Sequence, residues 1–474
     1  MMSKEGPFDL AASAYVLFAR LLLCFVVVSM SGCGATPKRP DLARLYAHQA
    51  DDSAIVPVVL IHGTLGARLF NDEKDNEVWP GSLRRILFDD YEALELDISN
   101  SSELFVPSQL RSGGITDGAA GKDFYGRILS VLENAGGYIP TTVGTPSEGN
   151  RRRLYVFDYD WRQDNVYTVR QLHDFIEQIR LDHNAPELKV DIVAHSMGGL
   201  ITRYYARYGT TDVLNDNDFP VTMEGASRLR RVLLLGTPNF GSVLAVDILD
   251  KGKRVGFGTV PPEVVATFPS AYQVLPHALN TWLLNVDGKP NSDDVFDVEF
   301  WRDHKLSIFH PEVRKRLEER SSSVEEGRAR FAQFERFFEQ NLERARRFTW
   351  SLTVTLEDTP IRFGVFGGDC ALTPARMVLE EVNSHHYLRL HPKDILHKRS
   401  PVDYERLMLE PGDGTVSKAS LLARQSSDPT IARHKYSFFP LGYAFFLCED
   451  HQSLTGNISF QDNLLNALLS ADQN

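Results

Sequence analysis

Ser196 occupies the tip of a predicted sharp turn between a strand and a helix. The apolar run 190–194 is typical of a buried strand, and residues 200–208 are typical of a helix. The turn reads Ala194-His-Ser-Met-Gly198, a form of the G-x-S-x-G pattern with alanine at its first position. Strand, turn and helix in this order predict a nucleophile elbow rather than a simple tight turn. We therefore interpret Ser196 as a nucleophile.

A serine hydroxyl is a poor nucleophile at neutral pH, and it needs a histidine base that a carboxylate orients. In folds with such an elbow, the acid and then the histidine follow on loops after the last strands. Of the downstream histidines, only His451 follows the last apolar strand and precedes the terminal helix. Asp413 lies on a turn flanked by glycines, and Asp369 follows a strand directly. Spacing alone favours neither carboxylate.

Attack on an ester carbonyl also requires two backbone N–H donors for the negative charge on oxygen. The amide of Met197, directly after the nucleophile, is one candidate. The second is expected from the turn His62-Gly-Thr64 after the first buried strand, most simply from the Thr64 amide. The alternative is that Gly63 and Gly66 only shape this turn.

Strands that alternate with helices are predicted around these residues. Apolar runs indicate strands at 56–61, 154–157, 190–194, 231–235, 361–368 and about 436–447. Apolar residues at helical spacing follow the second strand, at Val166, Val169, Leu172, Ile176 and Ile179. This alternation predicts an α/β fold with a mainly parallel sheet flanked by helices.

Two long segments interrupt the alternation. Residues 67–150 are too many for a bare connection, which predicts an insertion after the first core strand. Residues 243–350 contain a Pro-rich apolar stretch and then a charged helical stretch at 312–347, which predicts a large helical cap. The helical stretch has a one-sided apolar stripe, interpreted as a packing face, at Phe331, Phe334, Phe338, Leu342 and Ala345.

Composition limits the classes of function. A chain of 474 residues with 43% hydrophobic residues can bury a large core. A net charge of −12 without a basic run argues against a nucleic-acid partner. The cysteines and the 14 histidines show no metal-ligand spacing, so neither a metal nor another cofactor is expected. Oligomeric state stays open.

The N-terminal residues are typical of an export signal. Arg20 precedes a short apolar run that ends in Met-Ser-Gly-Cys33, which resembles a bacterial lipoprotein signal. This predicts a signal peptide at 1–32, a lipid on Cys33, a tether at 34–52 and a catalytic domain at 53–474. The alternatives are an ordinary signal peptide or an N-terminal anchor. We therefore expect the bacterial cell envelope, with the protein lipid-anchored or secreted.

Two cysteines remain outside this N-terminal region, Cys370 and Cys448. An even number of cysteines in an exported chain permits one disulfide. Two unpaired buried thiols are an equally good interpretation of the sequence.

Several motifs in a fixed order resemble the lecithin:cholesterol acyltransferase-like family of α/β-hydrolases. They run over about residues 55 to 470, at Pro57-Val-Val-Leu-Ile-His-Gly-Thr-Leu-Gly-Ala-Arg-Leu69, Val78-Trp-Pro80, Tyr159-Asp-Trp-Arg162, Ala194-His-Ser-Met-Gly-Gly199, Leu235-Gly-Thr-Pro238, Gly241-Ser242, Phe268-Pro-Ser270, Gly412-Asp-Gly-Thr-Val416 and His451. His62 stands where the family frequently has proline, and the cysteine pair of animal members in the membrane-contacting segment is absent.

The resemblance implies an α/β-hydrolase fold and assigns roles to the candidate residues. Ser196 would be the nucleophile, Asp413 rather than Asp369 the acid, and His451 the base. The amides of Thr64 and Met197 would form the oxyanion hole. Near this site, Asp160, Trp161 and Arg162 would act as a structural brace. Segments 67–150 and 243–350 would correspond to membrane-contacting and cap regions.

Together these features predict a serine-dependent acyl-ester hydrolase or acyltransferase that acts on lipid esters through an acyl-enzyme. Its expected partners are a lipid or acyl-ester substrate and the membrane surface that holds the anchor. One alternative is an esterase or amidase for small or cell-envelope esters. The other is a non-catalytic envelope lipoprotein that keeps the fold.

Overall fold

The computed structural model describes residues 39–47, 56–74, 76–82, 85, 90–100, 105–116, 118–119, 122–123, 125–147, 149, 151–354, 359–424 and 440–470. The chain divides into two units, Met1–Leu45 and Tyr46–Asn474. The predicted signal peptide and Cys33 lie outside the described residues. Within the predicted tether, a short helix spans Leu42–Tyr46.

A parallel sheet of seven strands forms the centre of the larger unit. In chain order the strands are β1 Val58–Ile61, β2 Ile139–Pro140, β3 Arg153–Phe157, β4 Val190–His195, β5 Leu229–Leu235, β6 Phe363–Gly368 and β7 Leu441–Leu447. Their order across the sheet is β7-β6-β5-β4-β1-β3-β2, and every neighbouring pair is parallel. Because helices cover both faces, central strands such as β1 are buried along their whole length. The predicted mainly parallel sheet is confirmed.

Helices connect and flank these strands. The longer ones span Gly126–Asn134, Asn165–Asp182, Met197–Tyr208, Val243–Lys251, Pro311–Glu319, Val324–Ser351 and Ile458–Leu469. Shorter ones span Pro262–Val265, Pro269–Tyr272, Val298–Asp303, Tyr404–Met408 and Lys418–Leu421. The helix Asn165–Asp182 begins where the Asp164 carboxylate accepts hydrogen bonds from two first-turn amides.

The segment after β1 forms small antiparallel sheets. One contains Ala67–Asn71, Asn76–Trp79 and Leu110–Ile115, and a second pairs Gly118–Ala119 with Lys122–Asp123. The predicted insertion 67–150 extends too far, because β2 lies within it and belongs to the main sheet. A strand of two residues is too short to produce a recognisable apolar pattern.

The predicted cap segment 243–350 is mainly helical, with a hairpin of Lys253–Val255 and Gly258–Val260. Its charged stretch forms two helices, because Ser323 caps the second one by accepting a hydrogen bond from the Glu326 amide. All members of the predicted apolar stripe are buried. The stripe is therefore a packing face.

The end of the long helix Val324–Ser351 packs against the helix Met197–Tyr208. Phe348 stacks on Tyr204 with ring centroids 5.7 Å apart. The Tyr208 hydroxyl donates to the Ser351 carbonyl oxygen at 2.7 Å. The helix after the predicted elbow is thus held by buried contacts from a distant part of the chain.

Smaller strands lie around the ends of β6 and β7. Leu283–Asn285, Met377–Val382 and His385–Arg389 form one sheet, and Ala371–Pro374 pairs with Leu409–Gly412. Cys370 and Cys448 form a disulfide with their Cα atoms 4.9 Å apart. Each cysteine follows one of two paired strands, β6 and β7, so the bond joins the loops that leave these strands.

Candidate active site

Ser196 lies in a strained turn between β4 and the helix Met197–Tyr208. Its φ of 52° is unfavourable for a residue with a side chain. Small neighbours make the turn possible, because a Cβ atom on Gly198 would lie 2.5 Å from the His62 carbonyl oxygen. A Cβ atom on Gly63 would lie 2.6 Å from the Cβ atom of Ser196. Gly63 therefore permits a close approach to the serine and does more than shape its own turn.

The structure brings Ser196, His451 and Asp413 into one line of hydrogen bonds. His451 Nε2 lies 3.1 Å from Ser196 Oγ, and His451 Nδ1 lies 2.7 Å from Asp413 Oδ2. Because a carboxylate only accepts, the proton of the neutral ring belongs on Nδ1. This leaves Nε2 free to accept the serine proton, as a general base must.

Asp413 is held in place and ionised. Its Oδ1 accepts hydrogen bonds from the amides of Thr415 at 3.0 Å and Val416 at 2.7 Å. Burial by itself would raise the pKa of Asp413, but the attraction of His451 and these hydrogen bonds lower that pKa below its ordinary value. A buried carboxylate that stays charged can stabilise an imidazolium.

Asp369, the other candidate acid, faces a different partner. Its Oδ2 lies 2.6 Å from Lys418 Nζ in a partly exposed ion pair. His451 Nδ1 is already occupied by Asp413. Of the two carboxylates that spacing could not separate, Asp413 is the one beside the histidine.

The two predicted oxyanion donors come from residues that touch. Thr64 Oγ1 lies 3.5 Å from Met197 Sδ, and the Gly66 amide donates to the Gly63 carbonyl oxygen at 3.1 Å to close the Thr64 turn. Within the described ranges, the amides of Thr64 and Met197 donate to no backbone carbonyl. Two such N–H groups on turns beside the serine can bind a negatively charged oxygen.

The predicted brace connects the first insertion to the core. Arg162 is fully buried and binds both oxygens of Asp160, through Nε at 2.8 Å and Nη2 at 2.6 Å. Arg162 also donates to the Leu94 carbonyl oxygen at 2.9 Å. The indole N–H of Trp161 donates to the Ala67 carbonyl oxygen at 3.2 Å.

A polar cleft of about 540 Å³ lies beside the histidine. Polar and charged side chains line it together with His451, among them Arg127, Thr415, Gln452 and Ser453. Sequence patterns gave no sign of this cleft, because its residues come from a helix and two loops far apart in the chain.

Three residues without a predicted role contact the site. Tyr125 and His195 connect the Gly63 turn to the His451 loop by hydrogen bonds, and His62 Nδ1 lies within hydrogen-bond distance of the Gly63 carbonyl oxygen. His195 is a variable position of the elbow motif and Tyr125 lies in an insertion, so neither carried a signal. The departure of His62 from the family pattern was the one available indication.

No metal centre or bilayer-spanning helix emerges from the described residues. Across them, no group of three or more His, Cys, Asp or Glu could hold a metal ion. None of their helices is long and apolar enough to cross a membrane.

A protein-family model matches part of this chain. The lecithin:cholesterol acyltransferase family model matches residues 148–363, which confirms the resemblance predicted from the motifs and supports an ester hydrolase or acyltransferase. No curated protein sequence matches the chain.

Solved structures similar to this chain have low sequence identity. The Tle4-Tli4 complex contains a chain that is 14% identical, with a TM-score of 0.57 over 87% of this chain and 98% of that one. Lipase 1 from Pelosinus fermentans is 15% identical, with a TM-score of 0.35 over 89% of this chain and 100% of that one. The mature Bacillus licheniformis lipase BlEst2 is 13% identical, with a TM-score of 0.31 over 89% and 94%. The parallel sheet flanked by helices, with a sharp turn at Ser196 between strand and helix, confirms the predicted α/β-hydrolase fold.

Proposed function

We propose that this lecithin:cholesterol acyltransferase-like chain cleaves lipid acyl esters through an acyl-enzyme on Ser196. The observation that carries the proposal is the continuous line from Ser196 Oγ through His451 to Asp413, with contacts of 3.1 and 2.7 Å. The strained φ of Ser196 supports it, because such strain persists where it serves a function.

In the proposed reaction, His451 Nε2 takes the hydroxyl proton as Ser196 Oγ attacks the ester carbonyl carbon. Asp413 stays ionised and stabilises the imidazolium, while the amides of Thr64 and Met197 bind the carbonyl oxygen. The imidazolium then donates its proton to the leaving alcohol oxygen as the C–O bond breaks. Water or an acceptor alcohol then loses a proton to His451 as its oxygen attacks the acyl carbon. The imidazolium returns this proton to Ser196 Oγ as the bond between Oγ and the acyl carbon breaks.

A lipid ester is the substrate class that the family match favours. The alternative of a small or cell-envelope ester is favoured by the polar cleft beside His451, which suits a hydrophilic leaving group or acceptor. The two candidates share the same chemistry on Ser196, so only the products separate them.

In the deciding experiment, the full-length protein is incubated with phosphatidylcholine vesicles that contain a long-chain alcohol. Free fatty acid and alkyl ester are quantified together, with Ser196→Ala as the control. Alkyl ester above the control indicates acyl transfer, and fatty acid alone indicates a phospholipase-type hydrolase. If neither product forms while short-chain esters are cleaved, the lipid proposal is wrong and the small-ester alternative is favoured.

We also propose that the chain is exported and anchored in the cell envelope by a lipid on Cys33. The support is the apolar run that ends in Met-Ser-Gly-Cys33. Cys33→Ser should move most of the protein from the membrane pellet to the soluble fraction. Cys24→Ser, inside the same predicted signal, should leave the distribution unchanged. A Cys33→Ser protein that stays in the pellet would argue for a retained N-terminal helix.

A further inference from the structure

Two side chains outside the proposed chemistry connect the oxyanion turn to the loop of the base. The Gly63 amide donates to the Tyr125 hydroxyl oxygen at 2.9 Å. That hydroxyl lies 2.8 Å from His195 Nδ1. On the other side of the imidazole ring, His195 Nε2 lies 3.3 Å from the backbone carbonyl oxygen of His451. A chain of hydrogen bonds therefore runs from Gly63 to the residue proposed as the base.

Each donor in this chain has one available acceptor. The amide donates to the oxygen of Tyr125, so the single hydroxyl proton of Tyr125 is directed to His195 Nδ1. The proton of neutral His195 then lies on Nε2 and points at the His451 carbonyl, which can only accept. The direction from amide to carbonyl is thus fixed, and neither side chain can reverse without losing a bond.

These hydrogen bonds persist at neutral pH because the Tyr125 and His195 side chains remain uncharged. Burial lowers the pKa of His195 to about 3, and the nearby His451 adds to this effect. Burial also raises the pKa of Tyr125 above its ordinary value. The His195 and His451 ring centroids are 4.9 Å apart, so a charged His195 would oppose the imidazolium that the reaction forms.

His62 holds the other side of the same turn. Its Nδ1 lies 2.7 Å from the Gly63 carbonyl oxygen, and its Nε2 accepts from the Tyr159 amide at 3.2 Å. The ring is fully buried and stacks on Tyr159 with centroids 4.1 Å apart. Burial lowers the pKa of His62 to about 4, so the ring is neutral and Nδ1 carries the proton.

Because the peptide unit is planar, the contact between His62 and the Gly63 carbonyl also orients one donor of the proposed oxyanion hole. The Gly63 carbonyl and the Thr64 N–H belong to one trans peptide unit, in which they point in opposite directions. When His62 fixes the carbonyl, it also fixes the direction of the Thr64 N–H. A proline at position 62 could not donate this bond.

We propose that Tyr125, His195 and His62 are positioning residues, which hold the Thr64 N–H and the His451 imidazole in one fixed relative geometry. This inference rests on the function proposed above. The N–H donor binds the carbonyl oxygen while the base takes the proton of the serine that attacks the same carbonyl carbon. Their mutual placement therefore matters for the transition state and little for substrate binding.

The test compares Tyr125→Phe with Tyr272→Phe. Each change removes one buried hydroxyl and keeps the ring. The Tyr272 hydroxyl donates to the Ala266 carbonyl oxygen at 2.7 Å, away from the chain of bonds described here. For a short-chain ester, Tyr125→Phe should lower kcat by about 10- to 100-fold with KM changed less than about twofold. Tyr272→Phe should leave kcat unchanged, with any loss limited to melting temperature.

A second comparison tests the chain of hydrogen bonds from Gly63 to His451. His195→Gln keeps an amide that can donate to the His451 carbonyl and should retain more activity than His195→Ala. The double variant Tyr125→Phe/His195→Ala should lose no more than the stronger single variant, because both changes break the same connection. If Tyr125→Phe does not fold, the comparison of His195→Gln with His195→Ala still tests the positioning role.

Labelling of Ser196 by a fluorophosphonate separates the two proposals. If the wild-type chain is not labelled, the proposed function itself is wrong. If it is labelled and Tyr125→Phe reacts equally fast, with unchanged kcat, the positioning role is wrong while the function stands. If the losses of kcat in Tyr125→Phe and His195→Ala add up in the double variant, the two residues do not act through one chain of hydrogen bonds.

Discussion

Replacing Ser196 by alanine should lower kcat by about 10⁴- to 10⁶-fold on any ester that the wild type cleaves. The expected loss is large because the hydroxyl is the atom that forms the acyl-enzyme. The melting temperature should change by no more than a few degrees. The one hydrogen bond that the serine side chain makes within the described residues joins it to His451 Nε2 at 3.1 Å, and alanine can keep the same backbone.

The measurement is turnover of a chromogenic ester, together with mass spectrometry of the chain after fluorophosphonate treatment. Ser227→Ala, which changes an exposed serine, is the matched control and should retain full turnover and labelling. Turnover in Ser196→Ala above the uncatalysed rate by more than about 10⁴-fold would contradict its role as nucleophile, since binding and the oxyanion donors alone account for less.

Asp413→Asn should lower kcat by about 10⁴-fold. The asparagine amide would donate to His451 Nδ1, which places the ring proton on Nε2. A protonated Nε2 cannot accept the Ser196 proton, so the geometry would survive while the base is lost. Asp413 also accepts from two amides through its other oxygen, which an asparagine carbonyl can still satisfy.

Asp369→Asn provides the matched control for the charge change. It removes a partly exposed ion pair with Lys418, and such pairs contribute about 1 kcal/mol or less to stability. Its kcat should stay within about threefold of the wild type. Steady-state kinetics of both variants on one ester show which of the two carboxylates is the acid. Comparable losses would leave the acid unassigned.

The local order of strand, turn and helix could be predicted because it depends on residues close in sequence. The apolar run before Ser196 and the small residues after it are sufficient to predict the elbow from local sequence. The acid could not be decided in this way, because Asp369 and Asp413 both end up near the end of β6. Only the packing of the 413–416 turn directs one carboxylate to His451.

Contacts across the chain account for what sequence analysis missed. Tyr125 is 70 residues from His195, and His195 is 256 residues from His451. No local pattern encodes such pairs, because Tyr125 precedes a helix, His195 ends a strand and His451 lies in a turn, each in a different segment. The two-residue strand β2 was missed for a related reason, since its pairing with β3 and not its composition defines it.

The disulfide between Cys370 and Cys448 closes a ring with a sequence separation of 78 that includes Asp413, and Cys448 stands three residues before His451. Cys370 precedes the strand that pairs beside Asp413, so the disulfide joins segments next to the acid and the base. Disulfides form where thiols are oxidised and are rare in the cytoplasm. A newly made chain in a reducing compartment thus carries both groups on loops that are not yet linked. Oxidation of these two thiols would therefore be the step that fixes the segments around the acid and the base relative to each other.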